Sequence, residues 1–364
     1  MKDSRQGEGQ GADRVVSSTG RVWNHTILDR RDEVAIEILI ADIDGDGNDD
    51  IVSGSRWYRA PLWDGEEIPG ISQAVAVLDV DEDGQLEVIG VRGPGLTSDF
   101  CWAKRTAEGW RVYAIGVGGG DWPHGVTMIR TSGGARAMVT SYHERGLHPP
   151  QIWTIPDDPT EAWPVTTLLD LAHSEELLRA DIDGDGLDEI VAGPWLLKET
   201  SKGWTARRFA DDTYENVSRV RVGDLLGRGR RDIVITEETG DWETRDPGSG
   251  RVSVFEAPAD PDVEGWTERV IARMKCPHSL DLIARPGDSI KIIVAEHDVF
   301  TADGEPINAA LSIFSCDGAE WVEERIDTRF EHFNGAKVID VGGDLGIASH
   351  GWLPPHDLHL WTTG

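Results

Sequence analysis

The sequence predicts an all-β fold, a seven-bladed β-propeller, on three observations: one strand–acidic turn–strand pattern recurs seven times, the copies are regularly spaced, and the last copy is incomplete. The clearest copy is Ile40-Ala-Asp42-Ile-Asp44-Gly-Asp46-Gly-Asn-Asp-Asp50-Ile-Val. Leu78-Asp79-Val-Asp81-Glu-Asp83-Gly-Gln-Leu-Glu87 and Ala180-Asp181-Ile-Asp183-Gly-Asp185-Gly-Leu-Asp-Glu189 repeat it closely. Weaker copies run from Met128 to Val139, Gly223 to Val234, Ile283 to Val294 and Ile339 to Ala348. The interval of roughly 40–60 residues is that of propeller blades.

Each copy offers an apolar run, a Gly/Asp turn and a second β-branched run, often followed by a strand such as Trp110 to Ile115, Trp266 to Ile271 or Trp321 to Ile326. The two-residue alternation in these runs is the period of a strand. The seventh copy stops at Trp361 without an outer strand, and Trp23-Asn-His-Thr-Ile27, ahead of the first copy, has the outer-strand pattern. The N-terminal strand is therefore expected to close blade seven and remove an open sheet edge. Residues 21–364 form one domain in this reading, and the polar, Gly/Ser-rich residues 1–20 form a disordered start.

Composition narrows the partners. With 35 Lys+Arg against 66 Asp+Glu the net charge is −31, which argues against nucleic acid and against an anionic membrane surface. No apolar run approaches the roughly 18 residues of a membrane helix, and the first residues lack the apolar core of a signal peptide. The three cysteines, Cys101, Cys276 and Cys316, have unrelated spacings and imply neither a disulfide framework nor a zinc knuckle. A cytoplasmic protein acting on a small molecule is the expectation.

The acidic turns are metal-loop candidates, because alternating carboxylates in a glycine-permitted turn converge on one point, as a hard cation such as Ca²⁺ requires. Asp42, Asp44, Asp46 and Asp50 form one set, Asp79, Asp81, Asp83 and Glu87 a second, and Asp181, Asp183, Asp185 and Glu189 a third. The simpler reading makes them structural turns, some metal-filled. In blade five Arg228 replaces a central carboxylate and is expected to hold Asp224 and Asp232 in place of a cation.

Repeat phase assigns the remaining chemistry to the opposite face. Segments leading into the innermost strands carry His124, His173, Glu175, His278 and His332, and segments leaving the second strands carry His143, Glu237-Glu238, His297 and His350. Most of the 11 histidines thus fall at one end of the central channel. Imidazoles beside carboxylates suit a divalent transition metal such as Zn²⁺, and His278, His297 and His350, from adjacent blades, are the expected ligands. Without a metal, the same residues would serve as proton-transfer groups. Trp57, Tyr58, Trp195 and Trp352 are candidates for stacking against a sugar ring, against a background in which many of the 15 tryptophans are blade packing.

On these motifs the chain resembles the FG-GAP/VCBS-repeat propellers over residues 21–364. Cys276-Pro-His278-Ser, Ala295-Glu-His297 and Ser349-His350-Gly-Trp352, followed by Pro-Pro-His356-Asp357, further resemble bacterial propellers related to the propeller part of aldos-2-ulose dehydratase. That resemblance implies metal-assisted elimination or isomerisation of a keto-sugar, with His124 or His143 as base and Glu144 or Glu237 as acid. A non-catalytic, calcium-stabilised carbohydrate- or protein-binding propeller is the competing expectation. A lyase for uronic-acid polysaccharides would want a basic groove, and only Arg56, Arg59 and Arg145 are expected near the rim.

Overall fold

The computed structural model describes residues 12–31, 33–93, 97–143, 148–171, 175–241, 243–246, 248–263, 265–299, 307–318 and 320–363. It is a seven-bladed β-propeller, with no helix among the described residues. Blades one to six span 38–67, 73–117, 123–167, 177–208, 217–274 and 277–327, each a four-stranded antiparallel sheet. Blade seven takes three strands from 336–362 and is completed by Val22–Asp29.

Second strands such as Asp50–Ser53, Glu189–Ala192 and Asp232–Glu237 are buried along their whole length, since a neighbouring blade covers each face. That explains their unbroken β-branched runs, where a strand with one solvated face would alternate. The apolar cores accordingly lie between blades. One of them joins Ile293, Ile313 and Ile326 of blade six to Trp23, Ile347 and Trp361 of blade seven. Innermost strands pack on one another around the ring, with Ala336–Val341 meeting Ile38–Ala41 to close it.

The expected closure is present. His25 pairs with Trp361 and Thr26 with Leu360, with a bulge between Ile27 and Asp29. Asp13–Val16 adds a fifth strand by pairing onto Val22–Trp23–Asn24–His25, which corrects the expectation that residues 1–20 are without structure. Residues 1–11 lie outside the described range.

The seam carries its own electrostatics. His25 and His359 share a 3.0 Å hydrogen bond and pack with Phe330 and Trp361. Burial and then the charge of Arg329 lower the His25 pKa to about 4, Asp327 and Asp13 pulling the other way. A histidine whose folded pKa lies below its unfolded value near 6.5 lends full stability above pH 6.5 and loses it as pH falls toward 4. The stability difference between wild type and His25→Phe, measured by urea unfolding, should therefore shrink by up to about 1.4 kcal/mol per pH unit between pH 6.5 and 4. A pH-independent difference would contradict a neutral, buried His25.

Candidate functional site at the channel mouth

Propeller phase delivers a chain of buried ionisable side chains to one end of the channel. Arg219, on the innermost strand of blade five, reaches Glu37 at 3.3 Å and Glu175 at 2.9 Å. Glu175 meets His278 Nε2 at 3.1 Å, and His278 Nε2 lies 4.0 Å from Glu238. Glu238 meets His297 Nε2 at 3.0 Å. At the other end His124 Nδ1 stands 3.7 Å from Glu37, too far for a hydrogen bond. All seven side chains are buried.

Local charge sets each protonation state. Burial raises the Glu37 pKa, but Arg219 and the His124 contact outweigh it and bring it down to about 2. Burial likewise opposes ionisation of Glu238, and the His297 hydrogen bond with the charges of His297 and His278 prevails, so its pKa is lowered. His278 is lowered by burial and by Arg219. Its Nδ1 lies 2.7 Å from the Phe333 carbonyl, which only accepts, so Nδ1 carries a hydrogen. Nε2 faces Glu175 at 3.1 Å, so a proton taken up there is shared between imidazole and carboxylate, an arrangement suited to proton transfer.

Among the described residues, Glu238, Cys276 and His297 bring one ligand atom each within 4.8 Å of one another, all three buried. Carboxylate, thiolate and imidazole together are a donor set that suits Zn²⁺. Burial and then the Glu238 carboxylate push the Cys276 thiol up, so it is protonated unless a metal displaces the proton. Its backbone is left-handed, at φ 44°, which a side chain adopts only when its surroundings impose it. Phe333, Trp352 and Leu353 pack with Cys276 and Val299 as an apolar roof. Glu331, raised by burial to about 7, accepts the Phe333 and Leu353 amides and fixes that roof.

The expected ligand trio is not what the fold assembles. His278 spends both ring nitrogens on Phe333 and Glu175, while His350 turns to Asn334 at 3.5 Å and stacks toward His356. Only His297 of the three belongs to the ligand group. His124 and His143 do come together, with ring centroids 5.6 Å apart, and Asp121 orients His143 at 3.2 Å. Glu237 is no free acid, because Arg251 grips both its oxygens at 2.6 and 2.9 Å. Glu144, His173 and Arg145 lie outside the described residues.

Of the four stacking candidates only Trp352 reaches the mouth, where its ring meets Trp122 of blade three at 5.4 Å and Phe333 at 5.6 Å. Trp57 is buried with its indole N–H on Asp50, and Tyr58 is buried with its hydroxyl on Asp29. Trp195 packs between blades under Arg208. All three stand on third strands, one strand too far from the axis.

A cavity of about 500 Å³ in the channel is lined by His124 and Glu37 and, away from them, by Glu176, Asp281, Lys337 and Asp49 of the first acidic loop. Glu175, His278, Glu238, Cys276 and His297 stand outside its lining. Neither ring nitrogen of His124 has a hydrogen-bond partner among the described residues. Arg221 ties Glu176 at 2.6 Å to Asp281 at 3.2 Å along the wall.

The acidic loops lie on the opposite face, as repeat phase requires. Asp42, Asp44 and Asp50 converge, as do Asp79, Asp81 and Glu87, and Asp181, Asp183 and Glu189. The outer carboxylates of Asp46, Asp83 and Asp185 instead accept the amides of Asn48, Gln85 and Leu187. Gly45 holds φ 73° in the first loop, and Glu82 is forced to φ 60° at the matching position of the second. In blade five Arg228 pairs with Asp232 at 2.6 Å and with Glu256 at 3.0 Å, while Asp224 accepts backbone amides. The expected pairing of Arg228 with both aspartates is thus half correct.

No protein family and no curated protein matches the sequence. Among solved structures the chain is similar to the rhamnogalacturonan lyase YesW, at 12% identity and TM-score 0.49, over 97% of this chain and 74% of that one. A rhamnogalacturonan lyase of Bacillus licheniformis is similar at 13% identity and TM-score 0.44, over the same shares of the two chains. The AfRom2 CNH domain is similar at 9% identity and TM-score 0.50, over 93% of this chain and 98% of that one. At 9% identity the likeness to the CNH domain concerns the fold alone, and the two lyase likenesses, with TM-scores below 0.5, carry no argument.

Removing one partner from a buried charge network leaves the others uncompensated. Arg219→Met, which keeps the apolar stem and strips the charge from beside Glu37 and Glu175, should cost about 3–5 kcal/mol in urea unfolding at neutral pH. A loss below about 1 kcal/mol, the range of exposed ion pairs, would show that the network is not desolvated.

Proposed function

We propose that the channel mouth is the acid–base site of a metal-assisted lyase or isomerase acting on a small keto-sugar or related sugar derivative. The observation that carries this reading is the buried run from His124 through Glu37, Arg219, Glu175, His278 and Glu238 to His297. Burying this many ionisable groups costs stability, and buried, perturbed ionisable clusters are enriched at functional sites.

The cavity is of a size to hold a monosaccharide. His124, buried at its edge with neither nitrogen hydrogen-bonded among the described residues, would take a proton from a carbon next to a carbonyl. Glu37 stays anionic beside it and stabilises the imidazolium that results. A proton shared between Glu175 and His278 would go to the departing hydroxyl, so that loss of one proton to His124 and of one hydroxide equivalent releases water. Glu238, Cys276 and His297 would hold a divalent ion, which when bound supplies Lewis-acid charge for a developing enediolate. Trp122 and Trp352 offer ring faces at the mouth.

Elimination next to a ketone creates an enone, so turnover is read as new ultraviolet absorbance on incubation with a 2-keto-aldose. Wild type should show it and should carry a transition metal by elemental analysis. His124→Asn should keep the metal and lose rate by roughly 10²–10⁴-fold. Cys276→Ala should lose both, and His350→Ala should keep the metal. Sugar binding without absorbance change in metal-loaded wild type would overturn the lyase reading in favour of a binding module.

A further inference from the structure

The acidic loops share a feature that becomes visible once the strand register is known. In blades one, two and four the last acid of the loop opens the second strand, and the residue opposite it on the third strand is basic. Ile51 pairs with Tyr58, which sets Asp50 opposite Arg59. Val88 pairs with Ala103, setting Glu87 opposite Lys104, and Ile190 with Leu197, setting Glu189 opposite Lys198.

Each base reaches into its own loop. Arg59 lies 2.5 Å from Asp44 and 3.6 Å from Asp46. Lys104 lies 2.5 Å from both Asp81 and Asp83 and 3.5 Å from the buried Glu87. Lys198 contacts Asp183, and stands 3.3 Å from Asp185 and Glu189 and 3.2 Å from Asp262 of the next blade.

Blade five inverts the pattern. Ile233 pairs with Phe255, so Asp232 faces Glu256, an acid where the others have a base. Here the base comes from the loop instead, as Arg228, and bridges Asp232 and Glu256. The sign exchange at both positions at once preserves one cation per cage, whichever strand or loop supplies it.

The donor set of the first three cages fits a hard cation, but the space among the carboxylates already holds a side-chain cation. We propose that the counter-ion of these loops is this tethered base, and that Ca²⁺ enters a cage only when the base is removed. An ammonium fixed on a strand meets its carboxylates at a local concentration no dilute ion matches. It also cross-links strands two and three of its blade, and through Asp262 Lys198 ties blade four to blade five. This inference concerns the face opposite the channel mouth and stands independently of the proposed reaction.

The test uses full-length protein with Lys104→Met and Lys198→Met, singly and together, which keeps side-chain length and removes the charge. Melting temperature is recorded in chelator-free, calcium-depleted buffer and in the same buffer with 5 mM Ca²⁺, so that a metal at the channel mouth stays in place, and bound calcium is counted after desalting. Wild type should melt at the same temperature in both buffers and retain no calcium. The double variant should melt lower than wild type without Ca²⁺ and gain about 5 °C or more with it while retaining the ion. If it fails to fold without calcium but folds when expressed and purified in it, the same conclusion follows. Wild type that gains several degrees with Ca²⁺ or retains the ion, or a double variant no more calcium-responsive than wild type, overturns the proposal.

Discussion

The pairing of Val22–Asp29 with Leu358–Thr362 is the constraint on which the rest of the molecule depends. It supplies the outer strand that the last repeat lacks, buries Trp23 against Trp361, and turns a curved row of sheets into a closed ring. Closure fixes the phase of every blade. Each segment that leads into an innermost strand and each that leaves a second strand is then held at one end of the channel, and each Asp loop at the other. The mouth network draws on blades three, five and six and on the segments before blades one and four, so it exists only in the closed ring.

That network is the least expected part of the molecule on stability grounds. The blades hold together through apolar clusters and hydrogen-bonded ladders, and the acidic loops by ion pairs that remain partly in contact with water. At the mouth, by contrast, carboxylates, imidazoles and a guanidinium are enclosed beneath Phe333, Trp352 and Leu353. Enclosure strengthens each electrostatic contact and holds the protons in defined places, which is a requirement of acid–base chemistry rather than of folding.

Much of this was legible in the sequence, because a repeat exposes its own phase. The blade number, the closure, the face of the acidic loops and the convergence of His124 with His143 and of His278 with His297 all follow from laying seven segments over one another. What was not legible turns on single-residue placement. Glu237 ends the second strand and is held by Arg251, while Glu238, just beyond it, faces His297. Trp57 and Tyr58 sit on a third strand and serve the core. Cys276 has no metal-ligand spacing in the sequence, and its neighbourhood to Glu238 and His297 comes from two blades meeting, while Arg219 gives no signal within a β-branched run. The tethered bases needed the cross-strand register, since Asp50 to Arg59 and Glu87 to Lys104 are separated by turns of different length.

The central claim is that the mouth holds a metal through Glu238, Cys276 and His297 rather than through an all-histidine set. X-ray absorption of the zinc-loaded protein reads this directly. One sulfur at about 2.3 Å together with nitrogen and oxygen neighbours at about 2.0–2.2 Å is the predicted first shell, with the sulfur contribution lost in Cys276→Ser. A shell of nitrogen and oxygen alone in the wild type, or no stoichiometric zinc, would contradict it.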